Sequence, residues 1–200
     1  MPEHLPVQPA DAAEAADLRA LAAAMAAESE RFLATLTEVA AGAHTDAAMS
    51  LLLLAVADLS AAGARLGAVV DVVPPERFEP DDGIDPDTDP LRLGLANLLD
   101  GLDEYREVPD PLVDNVSVTA TLSADLAEVA LALRHGLLHH RAGNVIEALW
   151  WWQFSYLSNW GDRAASALRT LLSVLSHVRL DVPADVAADA QFDALHAEVD

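Results

Sequence analysis

Apolar side chains at Leu18, Leu21, Met25, Phe32, Leu36 and Val39 recur every three or four residues across 11–41, the spacing of one helical face. Gly42 follows the last turn, where a left-handed residue ends a helix. Leu52, Ala55, Leu59, Ala62, Leu66 and Val69 repeat the pattern behind Thr45 or Asp46 as N-cap, predicting a long antiparallel helix pair. The run from Met49 to Val70 approaches a membrane span in length, but Asp58 and Arg65 interrupt it, so it reads as a buried helix. From Asp71 to Asp89 the composition turns to Pro, Asp and Gly, predicting a loop; Asp89-Pro90 then opens a short helix bearing Leu91, Leu95, Leu98 and Leu102. A second irregular stretch runs through Pro109 and Pro111 to Thr121, with Val116 and Val118 as at most a short extended piece.

Ser123 is the expected cap of a helix striped by Leu126, Val129, Ala130, Leu133 and Leu137 and ending at Gly143, and Asn144 with Glu147 resembles a capping box for the next. That next helix holds Trp150-Trp151-Trp152-Gln153-Phe154-Ser155-Tyr156. At 100° per residue three successive tryptophans face three directions, which predicts a central helix covered on several sides. Gly161 and Asp162 predict a break and a new cap, after which Leu168, Leu171, Leu172, Leu175 and Val178 drive a helix to about Leu180. The fold class is therefore all-α: a single-domain bundle of about five main helices over 10–182, with two long acidic and Pro-rich loops. The acidic tail 183–200 is expected to dock as a short helix or to fray.

Charge narrows the function classes. The 200 residues carry 33 acids against 11 arginines and no lysine, a net charge of −22, so broad nucleic-acid binding and attachment to anionic membranes are not expected. The absence of cysteine excludes disulfides, thiol chemistry and Cys-type zinc sites. The N-terminus shows no basic region followed by an apolar core, and the expected location is cytoplasmic. The acidity is unevenly spread: residues 123–180 hold four acids and five arginines, together with all four tryptophans and four of the seven histidines. Candidate chemistry is expected in that near-neutral segment.

Several stretches resemble a known family. They are Val73-Pro74-Pro75-Glu76-Arg77-Phe78-Glu79-Pro80-Asp81, Tyr105-Arg106-Glu107-Val108-Pro109-Asp110-Pro111, Arg134-His135-Gly136-Leu137, and most specifically Ala148 to Tyr156 continued by Asn159-Trp160-Gly161. Over about residues 30 to 182 the chain resembles the mainly actinobacterial domain of unknown function 5063 family. The resemblance implies a helical, soluble bacterial domain from a high-GC source, which the lysine-free, Ala- and Asp-rich composition fits; it brings no activity with it.

Within 123–180, Glu128, His135 and His139 project to within about 40° of one another on an ideal helix, a conceivable metal face with Asp103, Glu107 or Asp110 as further ligand. Arg134 and His139 match the R-x4-H spacing of helical HEPN ribonucleases, in which arginine stabilises phosphorane charge and histidine moves a proton, although about 140° separates the two on an ideal helix. Trp152, Tyr156 and Trp160 form one stripe at four-residue spacing, with Gln153, Ser155, Tyr156 and Asn159 placing polar atoms among the rings. Arg134, Arg141 and Arg163 are available to recognise an anion there. The run Asp85-Pro86-Asp87-Thr88-Asp89 imitates a calcium loop but puts Pro90 where Gly is needed and Ala96 where Glu is needed. No phosphate-binding, dinucleotide-binding, nucleophile-elbow or zinc-protease motif occurs.

The function this supports is a non-catalytic binding or interaction module using 123–180, with Tyr105, Glu107 and Asp110 folded over it, and a protein or small anionic ligand as partner. No cofactor is expected. The alternatives are a metal-independent HEPN-like ribonuclease, a metal-binding helical protein, and an acidic decoy that presents Asp81 to Asp89 to a basic DNA-binding partner.

Overall fold

The computed structural model describes residues 9–69, 71–74, 86–109, 112 and 116–180. Helix α1 (Pro9–Ala40) and helix α2 (Ala48–Gly67) pack together across a short turn, as the apolar spacing predicts. Gly42 adopts φ +82° and its N–H bonds to Val39 O at 2.9 Å, closing α1 in the conformation that glycine reaches without strain. With its 3-10 lead-in, α2 is the helix among the described residues that is long and apolar enough to cross a membrane. In the fold its Leu52, Val56, Leu59 and Leu66 are buried in the core.

Helix α3 (Asp89–Leu98), with Pro90 in its first turn, buries Leu91 and Leu95 against α1 and helix α4 (Leu122–Arg141). The all-α expectation holds apart from one small ribbon: strand β1 (Glu104–Glu107) pairs antiparallel with β2 (Val118–Thr121), Tyr105 facing Ala120 and Glu107 facing Val118. Only β2 overlaps the short extended piece expected near Val116 and Val118. A four-residue partner distant in sequence has no periodicity of its own to reveal it.

The start of α4 is capped differently from expectation. Thr121, not Ser123, occupies the N-cap, its Oγ1 accepting from Ala124 N at 3.4 Å. The Asp103 carboxylate takes the Ser123 N–H and O–H, both at 2.7 Å, and so satisfies one of the amides that a helix start leaves open. At the other end Asn144 is the N-cap of helix α5 (Val145–Ser155), yet its side chain makes no capping bond.

Two further corrections concern the centre of the bundle. The most enclosed helix is α4, which packs on α1, α3, α5 and helix α6 (Gly161–Leu180); the tryptophan helix α5 is covered by α1, α2 and α4, as expected, but has Phe154 turned outward. Helix α4 buries Ser123, Asp125 and His139 as well as Leu122, Leu126, Leu133 and Leu137, so three polar side chains that read as surface in sequence are interior. Gly161 does not break the chain either: α5 runs through a π-helical turn (Tyr156–Trp160) straight into α6. A Cβ at Gly161 would overlap Tyr156, so glycine here permits the wide turn instead of ending the helix. On α6 the core face is Ala164, Ala167 and Leu171, while the expected Leu172 and Val178 are exposed.

Candidate functional site

Between α4 and α5 the described residues leave a groove of about 250 Å³, lined from α4 by Glu128, Leu131, Ala132 and His135. These positions lie three, four and seven apart, one helical stripe. Its other wall is Trp151, Phe154 and Ser155 from α5, with Ser158 and Asn159 from the π-helical turn. That turn sorts the side chains: Tyr156 and Trp160 pack edge to face at 4.8 Å against Gly63 of α2, while Ser158 and Asn159 reach the groove. Single π-helical turns of this kind recur at functional sites.

The walls are locked. Trp151 donates its indole N–H to Ala132 O at 3.0 Å and stacks on His135 with ring centroids 4.2 Å apart. Ser155 and Ser158 donate to the carbonyls of Trp151 and Phe154, at 2.6 and 2.7 Å. At the Asn159 end stands a polar relay. Arg163 Nε donates to Asn159 Oδ1 and its NH1 donates to Asp125 Oδ1, each at 2.7 Å. Tyr105 OH donates to Asp125 Oδ2 at 2.6 Å, with Glu107 Oε2 a more distant 3.2 Å away.

The Asp125 side chain is only 3 % exposed, and this burial holds its carboxyl above the ordinary aspartate range despite the bonds from Tyr105 and Arg163 that favour its charge. Burial and the two neighbouring carboxylates push the Tyr105 phenol well above its ordinary range. Tyr105 therefore stays a neutral donor that joins β1 to α4, while Arg163 joins the same carboxylate to α6.

The expected site residues divide. His135 and Asn159 line the groove, as does Glu128, and Tyr105 and Glu107 stand at the relay. Asp110 lies outside the described residues, as do Asp81 to Asp85 and the tail. His139 is 0 % exposed, so it cannot meet an RNA phosphate beside Arg134, which lines a different hollow with Thr37, Ala40 and Leu91. No three His, Asp or Glu side chains converge as a metal would need among the described residues, which separates Glu128, His135 and His139 as a ligand set.

The tryptophan stripe is core. Trp152 is buried across Gly136 and donates to Leu133 O at 3.3 Å; Trp160 is buried behind α2, and Tyr156 packs on Gly63 and Gly67. Gln153 pins the chain beyond α2, donating to Leu66 O at 3.0 Å and accepting from Val72 N at 2.8 Å. Arg141 pairs with exposed Glu30 and Arg163 with Asp125, so neither arginine offers itself to an anion in the groove. Asp87 accepts the Asp89 N–H and Asp89 pairs with Arg92, which are local turn and cap contacts.

Sequence reasoning missed Asp125, Trp151, Phe154 and Ser158 as neighbours. The available signal was an aspartate set inside the apolar stripe of α4, where burial demands partners. A second hollow, of about 400 Å³, lies on the other side of Phe154, bordered by Asp71, Val73, Trp150 and Leu157.

A family model described as domain of unknown function (DUF5063) matches residues 16–177. The chain belongs to the DUF5063 family. Among solved structures, this DUF5063 domain is similar to protein BF1032 from Bacteroides fragilis at 17 % identity and a TM-score of 0.62, over 80 % of this chain and 92 % of that one. At that identity the likeness is one of fold. No curated protein matches the chain.

Proposed function

We propose that this DUF5063 domain is a cytoplasmic, non-catalytic binding module whose ligand occupies the groove between α4 and α5. The observation that carries the reading is a groove whose walls are fixed by internal bonds while Glu128, half-buried within it, bonds to nothing among the described residues. Prearranged walls with a few convergent polar groups are what small-molecule sites have in common. Both serines of the groove spend their hydroxyls on helix carbonyls, which favours binding over nucleophilic chemistry.

The test is native mass spectrometry of untagged protein from its own cell. Wild type should carry a bound small molecule, retained by Leu157→Ala, which touches only the second hollow, and lost in Phe154→Ala. Phe154 is 52 % exposed, so truncating it removes groove wall without opening the core. Bare wild-type protein, or the same adduct on Phe154→Ala, would contradict the reading.

A further inference from the structure

We infer that the groove selects a small organic cation, an ammonium group on a short apolar body; this rests on the binding reading above. The argument begins with Glu128. It is a half-buried carboxylate on a groove wall with no hydrogen bond or ion pair among the described residues. The carboxylate has acceptor capacity that no group of the chain uses, and a cationic ligand would supply charge-assisted donors to it.

The three arginines that the sequence offered for the site are placed elsewhere. Arg163, the arginine of the adjoining relay, is held by Asp125 and Asn159 at 2.7 Å each. Arg141 pairs with Glu30, and Arg134 lines the hollow beside Thr37 and Leu91. An anion in the groove would face the Glu128 carboxylate, within a molecule of net charge −22. A cation is drawn in by the same field.

The remaining walls suit an ammonium group. Trp151 and Phe154 supply aromatic surface, and the electron-rich face of such a ring attracts a cation placed over it. Because Arg163 takes Asn159 Oδ1, the amide Nδ2 is left as a donor for any acceptor the ligand carries. About 250 Å³ is below the range of roughly 300–1,000 Å³ typical of drug-sized ligands, so the body must be short.

The test is calorimetric titration of the full chain with isoamylammonium, isoamyl alcohol and isovalerate, which share a branched body and differ in charge. Isoamylammonium should bind wild type at least tenfold more tightly than the other two. Glu128→Gln should weaken it tenfold or more at an unchanged melting temperature, because the carboxylate has no partner to lose. Asp58→Asn, which removes one exposed charge on α2, should leave affinity as it was and so separates the local carboxylate from the bulk field.

Equal affinity in Glu128→Gln, equal or tighter binding of the alcohol or isovalerate, or no binding of isoamylammonium would overturn the assignment. If isoamylammonium fails while native wild type still carries an adduct that Phe154→Ala loses and Leu157→Ala keeps, the ligand class is wrong and the groove stands. Failure of both removes the groove as a site.

Discussion

Asp125 faces two opposed demands. Removal from water favours its neutral form, while Tyr105 and Arg163 donate to its charged form, and burial is the larger effect. A carboxyl whose folded pKa lies above its unfolded value costs stability when ionised in both states, and that cost disappears as pH falls through the folded pKa toward the ordinary value. Relative to Asp125→Asn, which does not titrate, the wild type should therefore gain stability from neutral pH down toward the ordinary aspartate value of 3.8. Urea unfolding of both proteins across that range reads the difference. If the wild-type advantage shrinks toward acid, the Arg163 pair outweighs burial. Two buried tryptophans give a second residue-scale contrast. Trp152 has an acceptor in Leu133 O, whereas buried Trp160 Nε1 has none among the described residues. Replacing each by Phe should cost more at 152, by about 0.5–1.5 kcal/mol, the net worth of one buried hydrogen bond. Equal losses would show that ring volume alone matters.

At the scale of elements, the contact of α2 with the π-helical turn depends on glycine. A Cβ at Gly63 would come within 2.6 Å of both Trp160 and Tyr156, side chains with little room to retreat. Gly63→Ala should destabilise by about 1–3 kcal/mol, as overpacking does, and a gain in melting temperature from its better helix propensity would contradict the packing described. The same contact explains what spacing can and cannot reveal. The stripes of α1, α2 and α4 are legible because Met25, Phe32, Leu36, Leu52, Leu59, Leu66, Leu126 and Leu133 do face the core. The continuity through Gly161 is not legible, since a glycine that ends a helix and one that admits a tyrosine look alike. Nor is β1, whose Tyr105 earns its place from Ala120 and Asp125, both distant in sequence.

Across the whole molecule the net charge of −22 must be tolerated by a fold whose centre holds few charges. Mutual repulsion of surface carboxylates should make the protein more stable in about 0.5 M than in about 0.02 M sodium chloride, since screening shortens the reach of each charge. A melting temperature that falls with salt would mean that ion pairs such as Arg141–Glu30 dominate instead. The candidate site was half legible at this scale. Charge segregation points to residues 123–180, and Glu128, His135 and Asn159 do share the groove there. Trp152 and His139 were indistinguishable from site residues because burial behind a neighbouring helix leaves no mark on the spacing of either residue. The central claim, that the groove beside Trp151 is where a ligand sits, is tested most directly by following the four indole N–H resonances during titration with isoamylammonium. The structure predicts that Trp151 shifts while buried Trp152 and Trp160 stay in place. No shift at Trp151, or a shift confined to Trp150 beside the second hollow, would contradict it.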